Sequence, residues 1–491
     1  DGNISFGKEI ICILPKNFGD LISKMVIQID LKANTDKTWG YVKKLGFAII
    51  DYVSVYIDGS EIDRHEGDWL NIYHEIANKD GFNDNFNSMI GNISSLTNID
   101  VDHEKYTLNI PLIFWFCKNF DTTLPISCLK ERSVVIKLKL KTALDCINYS
   151  GTSEPTNLPV IDNVNLVTTY ILLDLYERSK FILNSHEYIF DKVQINDFKI
   201  TKYNDDYELV FGNPCKSLFW ISNQEKYNQR KSYLTWAFDN DWNTAKDKFA
   251  KLIWLATRNN LSSDGTTITY NPTTFFPGDI PSLVSGGNST LESLSSKVDA
   301  YILFYNSSGV ANAVTSNVVL ISNELTFEDM SITISELESD GSSTTGQTAF
   351  FNIHKVNVID YFNYGNFVNS SDNPLVNSSL KLNGHNRFNS KGSYFNYNQP
   401  LENFNNIPCD GINVYTFSVN PLKNQPSGTC NFSEIRSAIF NVIIGKKGYD
   451  DSGTYFTNNF ISGNLKVYAN TYNLLKISET MCGAAYKSTE Y

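Results

Sequence analysis

Six histidines are the first side chains to test for metal or acid–base chemistry: His65, His74, His103, His186, His354 and His385. They are widely scattered, and the nearest pair, His65 and His74, is nine residues apart. Zinc sites on helices use two histidines four residues apart, which this spacing does not provide. The histidines are therefore interpreted as separate surface or hydrogen-bonding residues, and no metal site is predicted.

One other segment begins like a calcium-binding loop. Asp239, Asp241 and Asn243 have the alternating oxygen ligands of such a loop, but Thr244 replaces its glycine and Ala250 replaces its final glutamate. Walker loops, the nucleophile elbow Gly-x-Ser-x-Gly and the zinc motif His-Glu-x-x-His are all missing from the sequence. Catalytic, cofactor-binding and metal-binding residues are accordingly all predicted to be none.

Two weaker catalytic patterns remain. Ser5-x-x-Lys8 matches the serine–lysine pair of β-lactamases, but it lies near the first residue without the partner motifs. The chain also holds 53 aspartates and glutamates, so a glycosidase pair could form in three dimensions, although nothing singles out two of them. The protein is predicted not to be an enzyme.

Aromatic residues form two groups that could bind a ligand or build a core. Phe114, Trp115 and Phe116 could stack on a sugar, but they lie between apolar residues, which favours a core position. Trp39 and Trp69 flank the segment IDGSEIDR and could anchor that hairpin or pack against a neighbouring subunit. Either role is structural.

Composition sets limits on the function. The chain has 491 residues, 42% of them hydrophobic, which suggests two or three domains with ample apolar surface to bury. A formal net charge of −12 argues against a sequence-independent grip on nucleic acid, and no direct nucleic-acid partner is predicted. Eight cysteines without a Cys-x-x-Cys pair, and no visible signal peptide, lead us to expect synthesis in a reducing cytoplasm.

The hydrophobic pattern is dominated by strands. In Ser133–Lys141, apolar residues alternate with lysines, which is typical of a strand with one dry and one wet face. Similar patterns predict the strands Ser23–Ala33, Gly46–Asp58, Asn165–Leu175, Tyr188–Ile200 and Val414–Val419. Short strands separated by turn residues favour an antiparallel sandwich. Helices are predicted only for Asp68–Ala77 and Asp241–Arg258.

A polar hinge near Lys199–Asp206 predicts a division into residues 1–200 and residues 201–491. Each part is large enough for a jelly roll of about eight strands. Residues 245–372 of the second part include Ser- and Gly-rich pieces such as Val284–Ser295 and Ser339–Gly346, with strand-like pieces between them. This insertion is predicted to lie over the surface as long loops, with Ser285–Thr290 not buried.

Five segments of the chain resemble one protein family. The segment Gly411–Ser433 contains three turn-forming steps and ends in QPSGTCNFS. With the four segments Trp39–Glu75, Leu108–Leu129, Ser378–Phe388 and Asn464–Ile477, it resembles the major capsid proteins of nucleocytoplasmic large DNA viruses, in order and in approximate spacing.

The resemblance implies an all-β fold of two consecutive eight-stranded jelly rolls with few short helices. It implies a homotrimer that forms pseudo-hexagonal capsomers of an icosahedral virion, in contact with neighbouring capsomers. The N-terminal arm, before Ser23, would face minor capsid proteins or an internal membrane at the capsomer base. The insertion would form the outward tower. The family implies no cofactor.

An alternative function is a glycan-binding sandwich, such as a viral lectin or adhesin, with which the acidic charge and the Ser/Gly loops are compatible. Members of the resembling family can carry unusual glycans, so glycans on the outer loops are a further expected partner. Ordinary N-glycosylation is not expected at the sequons, because no secretory signal precedes them. These include Asn92, Asn148, Asn260, Asn288, Asn306, Asn369, Asn377 and Asn431.

Overall fold

The computed structural model describes the chain in ten stretches and a set of short strands. The stretches are residues 4–78, 83–98, 101–129, 132–149, 154–224, 361–365, 373–449, 455–459, 463–477 and 482–485, and the short strands lie between residues 235 and 356. Over these residues the fold is all-β, with two sandwiches in succession and a few short helices.

In the residues that the structure describes, the first sandwich contains nine strands in three sheets. The strands are β1 (Glu9–Ile13), β2 (Leu21–Leu31), β3 (Trp39–Tyr41), β4 (Ile50–Ile57), β5 (Ser60–Glu66), β6 (Tyr106–Pro111), β7 (Val134–Leu140), β8 (Ile147–Tyr149) and β9 (Ile161–Ile171). The sheet orders are β1-β7-β4-β5, β6-β2-β9 and β3-β8. Part of the predicted N-terminal arm forms strand β1 of this sheet. Its residues Ile10 and Cys12 pack against the core.

Three further strands follow, and then a group of short ones. The three are β10 (His186–Ile200), β11 (Asn204–Glu208) and β12 (Pro214–Gln224). The short strands are β13 (Thr235–Ala237), β14 (Thr267–Ile268), β15 (Phe304–Tyr305), β16 (Ala311–Asn312), β17 (Val318–Leu320), β18 (Met330–Ile334), β19 (Leu337–Ser339), β20 (Ser342–Thr344), β21 (Gln347–Phe351) and β22 (His354–Val356).

The remaining strands complete the second sandwich. They are β23 (Leu375–Leu382), β24 (His385–Lys391), β25 (Asn413–Thr416), β26 (Cys430–Asn431), β27 (Ala438–Ile444), β28 (Lys446–Tyr449), β29 (Tyr455–Asn459), β30 (Gly463–Ile477) and β31 (Cys482–Ala484). One sheet has the order β10-β30-β12-β25, with β26 on β12 and β31 on β30. The other has the order β11-β27-β23-β24.

The two sandwiches share one sheet topology. The order β1-β7-β4-β5 in the first matches β11-β27-β23-β24 in the second. Both sheets end in a hairpin with a two-residue turn, Asp58-Gly59 in the first and Asn383-Gly384 in the second, and all four turn residues have positive φ. Such turns match the twist of the paired strands, and glycine adopts their conformation without strain.

The predicted alternation of buried and half-buried residues is confirmed in β7, which has one face in the core. In β7, Val134, Ile136, Leu138 and Leu140 are all buried, while the lysines between them are half-buried. The prediction for Gly46–Asp58 is wrong at its start, because Leu45–Ala48 is a helical turn. The prediction for Asn165–Leu175 extends too far, because β9 ends at Ile171.

The helices are short. They are α1 (Leu45–Ala48), α2 (Gly67–Ala77), α3 (Asn83–Met89), α4 (Ser94–Thr97), α5 (Trp115–Lys118), α6 (Leu175–Leu183) and α7 (Gln399–Asn403). Single 3₁₀ turns occupy Phe120–Thr122, Ile126–Cys128, Ala143–Cys146 and Phe432–Glu434, and a π-helical turn spans Tyr394–Asn398. The helix predicted for Asp68–Ala77 is confirmed as α2. Residues 241–258, where the other helix is predicted, lie outside the described residues. Over the described residues, no helix is long and apolar enough to span a bilayer.

The predicted boundary at residue 200 differs from the strand pairing. β10 pairs along its whole length with β30, from His186 opposite Ile477 to Ile200 opposite Gly463. Its fifteen residues therefore belong to a sheet of the second sandwich, although the boundary assigned them to the first. The polar segment at Lys199–Asp206 comprises the end of β10, a connection at residues 201–203 and the start of β11, all within the second sandwich.

The insertion is predicted to form surface loops, and the structure departs from this prediction at two places. Ser339–Gly346 carries the hairpin β19–β20. Tyr361–Gly365 is largely buried, with Phe362 and Tyr364 packed in the core. Ser285–Thr290 lies outside the described residues.

Candidate functional site: the junction between the two sandwiches

The junction has an aromatic centre to which both sandwiches contribute. Trp69, in the first turn of α2, lies 5.2 Å from Phe219 of β12 and 5.6 Å from Tyr468 of β30, measured between ring centroids. All three side chains are buried. Because the same apolar cluster extends from β2 to Tyr468 and Leu475, the first core continues into the second sandwich.

An ionic group lies beside Trp69. Lys466 of β30 donates to Asp68 Oδ2 at 2.8 Å and to Glu66 Oε2 at 3.0 Å. Asp68 also accepts a hydrogen bond from the Tyr364 hydroxyl at 2.8 Å. The carboxylates come from the end of β5 and the start of α2, so these bonds join segments almost 400 residues apart in the sequence.

The protonation of Asp68 follows from these contacts. Burial alone would raise its pKa, but the Lys466 ammonium, with Lys141 nearby, holds the pKa below its ordinary value. The pKa of Lys466 is raised in turn, because Asp68 and Glu66 outweigh its own desolvation. Asp68 and Lys466 are therefore both ionised at neutral pH and face each other as opposite charges.

Residues 361–365 close the same side of the junction. Lys141, which follows β7, donates to the Tyr361 hydroxyl at 2.8 Å, with its ammonium 4.9 Å from the ring centroid. Gly411 approaches this segment closely, since a Cβ at Gly411 would lie 2.1 Å from the Tyr364 carbonyl oxygen. Only glycine fits there.

A second ionic group lies on Asp191 of β10. Lys216 of β12 donates to Asp191 Oδ1 at 2.7 Å, and Lys118 at the end of α5 donates to Oδ2 at 3.4 Å. Burial would raise the pKa of Asp191, but the two lysines keep it below its ordinary value. Lys118 belongs to the first sandwich and Lys216 to the second, so one carboxylate holds both.

Asp63 of β5 extends this contact through the backbone. Its Oδ1 accepts a hydrogen bond from the Val193 amide at 3.2 Å, and its Oδ2 lies 3.0 Å from His65 Nε2. The His65 ring stacks on Phe114, with the centroids 4.7 Å apart. β10 is thus fixed to the first sandwich by a side chain as well as by packing.

The C-terminus of α2 supplies a third connection. The amides of Asn405 and Asn406 donate to the Ile76 carbonyl at 3.1 and 3.3 Å. The Asn405 side chain donates to the Ala77 carbonyl at 2.7 Å, and that of Asn406 donates to the Asn78 carbonyl. These carbonyls lack partners within the helix, so a loop of the second sandwich completes a helix of the first.

These contacts hold two bodies together and contain no catalytic arrangement. Their carboxylates are occupied by lysines, a tyrosine or a backbone amide, and the described residues contain no group of three or more potential metal ligands. Buried ion pairs add little net stability, but removing one partner leaves a costly unpaired charge. The junction therefore specifies one relative placement of the sandwiches.

The histidines of the described residues belong to no group of three or more potential metal ligands. His65 and His103 are buried, and His103 Nε2 lies 3.0 Å from the Trp39 carbonyl oxygen. His74 stacks on Phe86, and burial lowers its pKa to about 4. His186 is the first residue of β10, and His385 is exposed on β24. The side chain of His354 is outside the described residues.

The aromatic predictions are confirmed as core positions. Phe114, Trp115 and Phe116 are at most 2% exposed. Trp39 and Trp69 are fully buried within the chain, so neither packs on a neighbouring subunit. Lys8 is exposed, and its backbone amide bonds to the Ser5 carbonyl. The calcium-like segment Asp239–Ala250 lies outside the described residues.

Sequence reasoning missed the junction residues. The sequence pattern marks Asp68 only as the start of a predicted helix, and Lys466 only as part of the segment Asn464–Ile477 that resembles the family. One usable signal is a lysine in an otherwise apolar strand, as in Lys216 within CKSLFWIS, because a buried lysine needs a carboxylate partner. The identity of that partner could not be read from the sequence.

Comparison with known proteins adds to this geometry. A family model described as the large eukaryotic DNA virus major capsid protein matches residues 177–483, and one for the major capsid protein N-terminus matches residues 1–174. The chain belongs to this capsid protein family. Capsid protein 1 of Acanthamoeba polyphaga mimivirus is 26% identical, over 99% of this chain and 92% of that protein. The major capsid protein of Phaeocystis pouchetii virus is 27% identical, over 99% and 91%.

Solved structures agree on the fold. VP54 of the virus PBCV-1 aligns with a TM-score of 0.64 at 22% identity, over 99% of this chain and 94% of that one. The Faustovirus major capsid protein aligns with a TM-score of 0.60 at 12% identity, over 97% and 88%. The double jelly roll predicted from the sequence is confirmed.

The chain is thus a major capsid protein of a large eukaryotic DNA virus and a component of the virion. Its function is structural. The glycan-binding alternative finds no support among these relatives, which are named as capsid proteins.

Proposed function

We propose that three copies of this chain close around a threefold axis into a pseudo-hexagonal capsomer, and that capsomers tile an icosahedral shell. Two similar sandwiches per chain, repeated three times, give six roughly equivalent pillars. Contacts between copies are heterologous and are closed by the rotation. An assembly of this kind buries several thousand Å² per subunit, on the order found in obligate complexes.

The observation that supports this proposal most strongly is the junction. Six equivalent pillars require the two sandwiches of each chain to keep one fixed placement. The bonds of Lys466 to Asp68, and of Asp191 to Lys118 and Lys216, fix that placement with buried charges. A protein whose two domains bind separate ligands does not need such a connection.

The remaining features of the proposal concern what surrounds the capsomer. The protein acts on no substrate and makes no direct contact with nucleic acid. It is synthesised in the host cytoplasm. The segment before Ser23 lies toward the capsomer base, near minor capsid proteins or an internal membrane. The insertion at about residues 245–372, apart from the largely buried Tyr361–Gly365, faces outward and carries glycans where these are present. Asn148 is not among the modified positions, because its side chain is fully buried.

The mass of the purified protein in solution tests the assembly. Sedimentation equilibrium should give roughly three times the chain mass of 55.5 kDa. A stable monomer across the micromolar range would contradict the proposal.

A deletion separates the pillars from the insertion. Removing Ser282–Ser295 should leave the protein trimeric, because the pillars are built by the strands on either side of the insertion. Loss of the trimer would contradict the outward placement.

A further inference from the structure

Two cysteines of the second sandwich lie directly opposite each other on paired strands. Cys215 is near the start of β12, and Cys430 is the first residue of β26. The two strands pair antiparallel, and Cys215 is the Cα partner of Cys430 in their register. Residues directly opposite in an antiparallel pair project their side chains from the same face of the sheet. The two thiols are therefore neighbours, although they are distant in the sequence.

The backbone spacing of such a pair is that of a disulfide. Opposite residues in antiparallel strands have Cα atoms about 4.5–5.5 Å apart. Cysteines joined by a disulfide have Cα atoms about 4.4–6.8 Å apart. Both thiols are free in this structure, and Cys215 Sγ donates a weak hydrogen bond to the Ser217 carbonyl at 3.4 Å. A bond between the thiols would replace that contact by a side-chain rotation, without rearranging the strands.

The electrostatics of the two thiols also reflect their proximity. Burial raises the pKa of Cys215 well above its ordinary value, and the neighbouring Cys430 adds to that rise. Burial raises the pKa of Cys430 as well, and the Arg387 guanidinium partly offsets this effect. Cys430 is half-buried, whereas Cys215 is fully buried. Cys430 is thus the thiol that a dissolved reagent meets first.

Other strand cysteines of the described residues lie opposite apolar residues. Cys12 of β1 is the register partner of Ile136, and Cys482 of β31 is the register partner of Ile477. Cys12 is half-buried, as Cys430 is. Cys12 therefore provides a matched control for Cys430.

The segment that carries Cys430 is held by few backbone hydrogen bonds. β26 has only two residues, and one of their partners is Pro214, which has no amide hydrogen to donate. β12, by contrast, lies between β30 and β25 in the centre of its sheet, and its Lys216 belongs to the junction. A covalent bond from Cys430 to β12 would fasten a short edge strand to the most firmly held part of the sandwich.

We propose that Cys215 and Cys430 form an intramolecular disulfide when a disulfide-bearing oxidant, such as oxidised glutathione, reaches the protein. The Cys430 thiolate attacks the disulfide of the oxidant and releases one of its sulfurs as a thiolate. The Cys215 thiolate then attacks the Cys430 sulfur and releases the other. Both protein thiols lose their protons and are oxidised, while the one disulfide of the oxidant is reduced to two thiols.

The bond closes a covalent loop around the long connection at residues 225–374, because Cys215 precedes this connection and Cys430 follows it. It strengthens the second sandwich wherever the surroundings are not reducing. The pairing of the two thiols does not depend on the threefold assembly.

Oxidised glutathione tests the pairing in the purified, reduced protein. After the treatment, remaining thiols are alkylated, and the peptides are mapped by mass spectrometry without reduction. The main cross-linked product should join the peptides of Cys215 and Cys430, with the loss of two hydrogen atoms. Alkylation of both thiols would overturn the proposal. A glutathione adduct that persists on Cys430 would also overturn it, because Cys215 would then be unable to reach that sulfur.

Electrophoresis under denaturing, non-reducing conditions shows whether the bond lies within one chain. The oxidised protein should keep the mass of a single chain, 55.5 kDa. A cross-linked product of twice that mass that contains the Cys215–Cys430 bond would overturn the proposal.

Two variants test the specificity. Cys430→Ser should abolish the linked peptide, whereas Cys12→Ser should retain it. A linked peptide in Cys430→Ser that joins Cys215 to a different cysteine would overturn the proposal. If Cys430→Ser does not fold, the peptide map of the unaltered protein still decides.

Thermal unfolding tests the stabilising role. The oxidised protein should unfold several degrees above the reduced protein, because the bond restricts the unfolded chain. Cys430→Ser should unfold at one temperature after either treatment, and Cys12→Ser should behave like the unaltered protein. Equal unfolding temperatures for the oxidised and reduced forms of the unaltered protein would overturn the stabilising role.

Discussion

The two sandwiches differ most in the connection that leads into their Asp58-Gly59 and Asn383-Gly384 hairpins. In the first, residues 32–49 join β2 to β4 through one short strand and one helical turn. In the second, residues 225–374 join β12 to β23, and the chain returns through Tyr361–Gly365 into the core. One topology therefore accepts a connection of either length, provided that the chain re-enters at the equivalent strand, β4 or β23.

A second difference is where charge is buried. The first sandwich contributes the carboxylates Glu66 and Asp68 to the junction, and the second contributes Lys466. Neither sandwich can keep these groups buried and paired alone. The junction is thus a shared part of both cores, and four predictions test this comparison.

The largest effect is expected at the junction. Lys466→Met should lower the free energy of unfolding by about 3 kcal/mol, because Asp68 and Glu66 would stay partly buried without their cation. Chemical denaturation followed by tryptophan fluorescence measures this loss. A change below about 1 kcal/mol would show that the ion pairs do not fix the junction.

A pH effect is expected in the first sandwich. His74 has a pKa of about 4 in the folded protein against an ordinary value of 6.5, because burial disfavours its charged form. The unfolded chain therefore binds the extra proton, and stability falls as the pH drops from 6.5 toward 4. The loss between pH 7 and pH 5 should be about 2 kcal/mol.

The control for this effect is His74→Phe, which retains the stack on Phe86 and cannot titrate. Hydrogen exchange should show that this variant loses the pH sensitivity of α2. The protection of β27, in the second sandwich, should be equal at both pH values in both proteins. An unchanged pH response in the variant would contradict the assignment to His74.

The two hairpins should respond equally to substitution. Gly59→Ala and Gly384→Ala should each cost about 1 kcal/mol, because both glycines have positive φ and neither has an atom within 4 Å of the new methyl group. Thermal unfolding of both variants gives the comparison. Gly483→Ala is the control, since that site is equally open without positive φ. Unequal costs would count against the equivalence of the hairpins.

The smallest effect is expected at a surface pair of the first sandwich. Lys32 lies 3.4 Å from Asp162, and both side chains are about half exposed, at 51% and 46%. Lys32→Met should change the free energy of unfolding by less than about 1 kcal/mol, because solvent screens the pair. The same denaturation experiment as for Lys466→Met measures it. Equal losses in the two variants would remove the distinction between junction and surface.

The sequence was sufficient for features that depend on local pattern. The alternation in β7, the helix α2 and the turn at Asp58-Gly59 were all predicted, because neighbouring residues determine them. The helix α6 was missed, although Asp174 caps it by accepting from the Glu177 amide, and this spacing is a recognisable start signal.

Features that depend on distant residues could not be predicted. Nothing near Tyr364 in the sequence indicates that it meets Asp68. The strand β10 reads as a normal strand, and only its pairing with β30 assigns it to the second sandwich. The shared topology of the two halves could not be predicted either. Their two hairpins have similar turns, but the sequences around these turns are dissimilar.

Electron microscopy of the purified protein tests the central claim most directly. The account predicts a particle of three chains in which six pillars form a near-hexagonal ring, with both sandwiches of each chain held in one placement by the Lys466 and Asp191 contacts. Particles of one chain, or trimers whose two sandwiches vary in relative orientation, would contradict it.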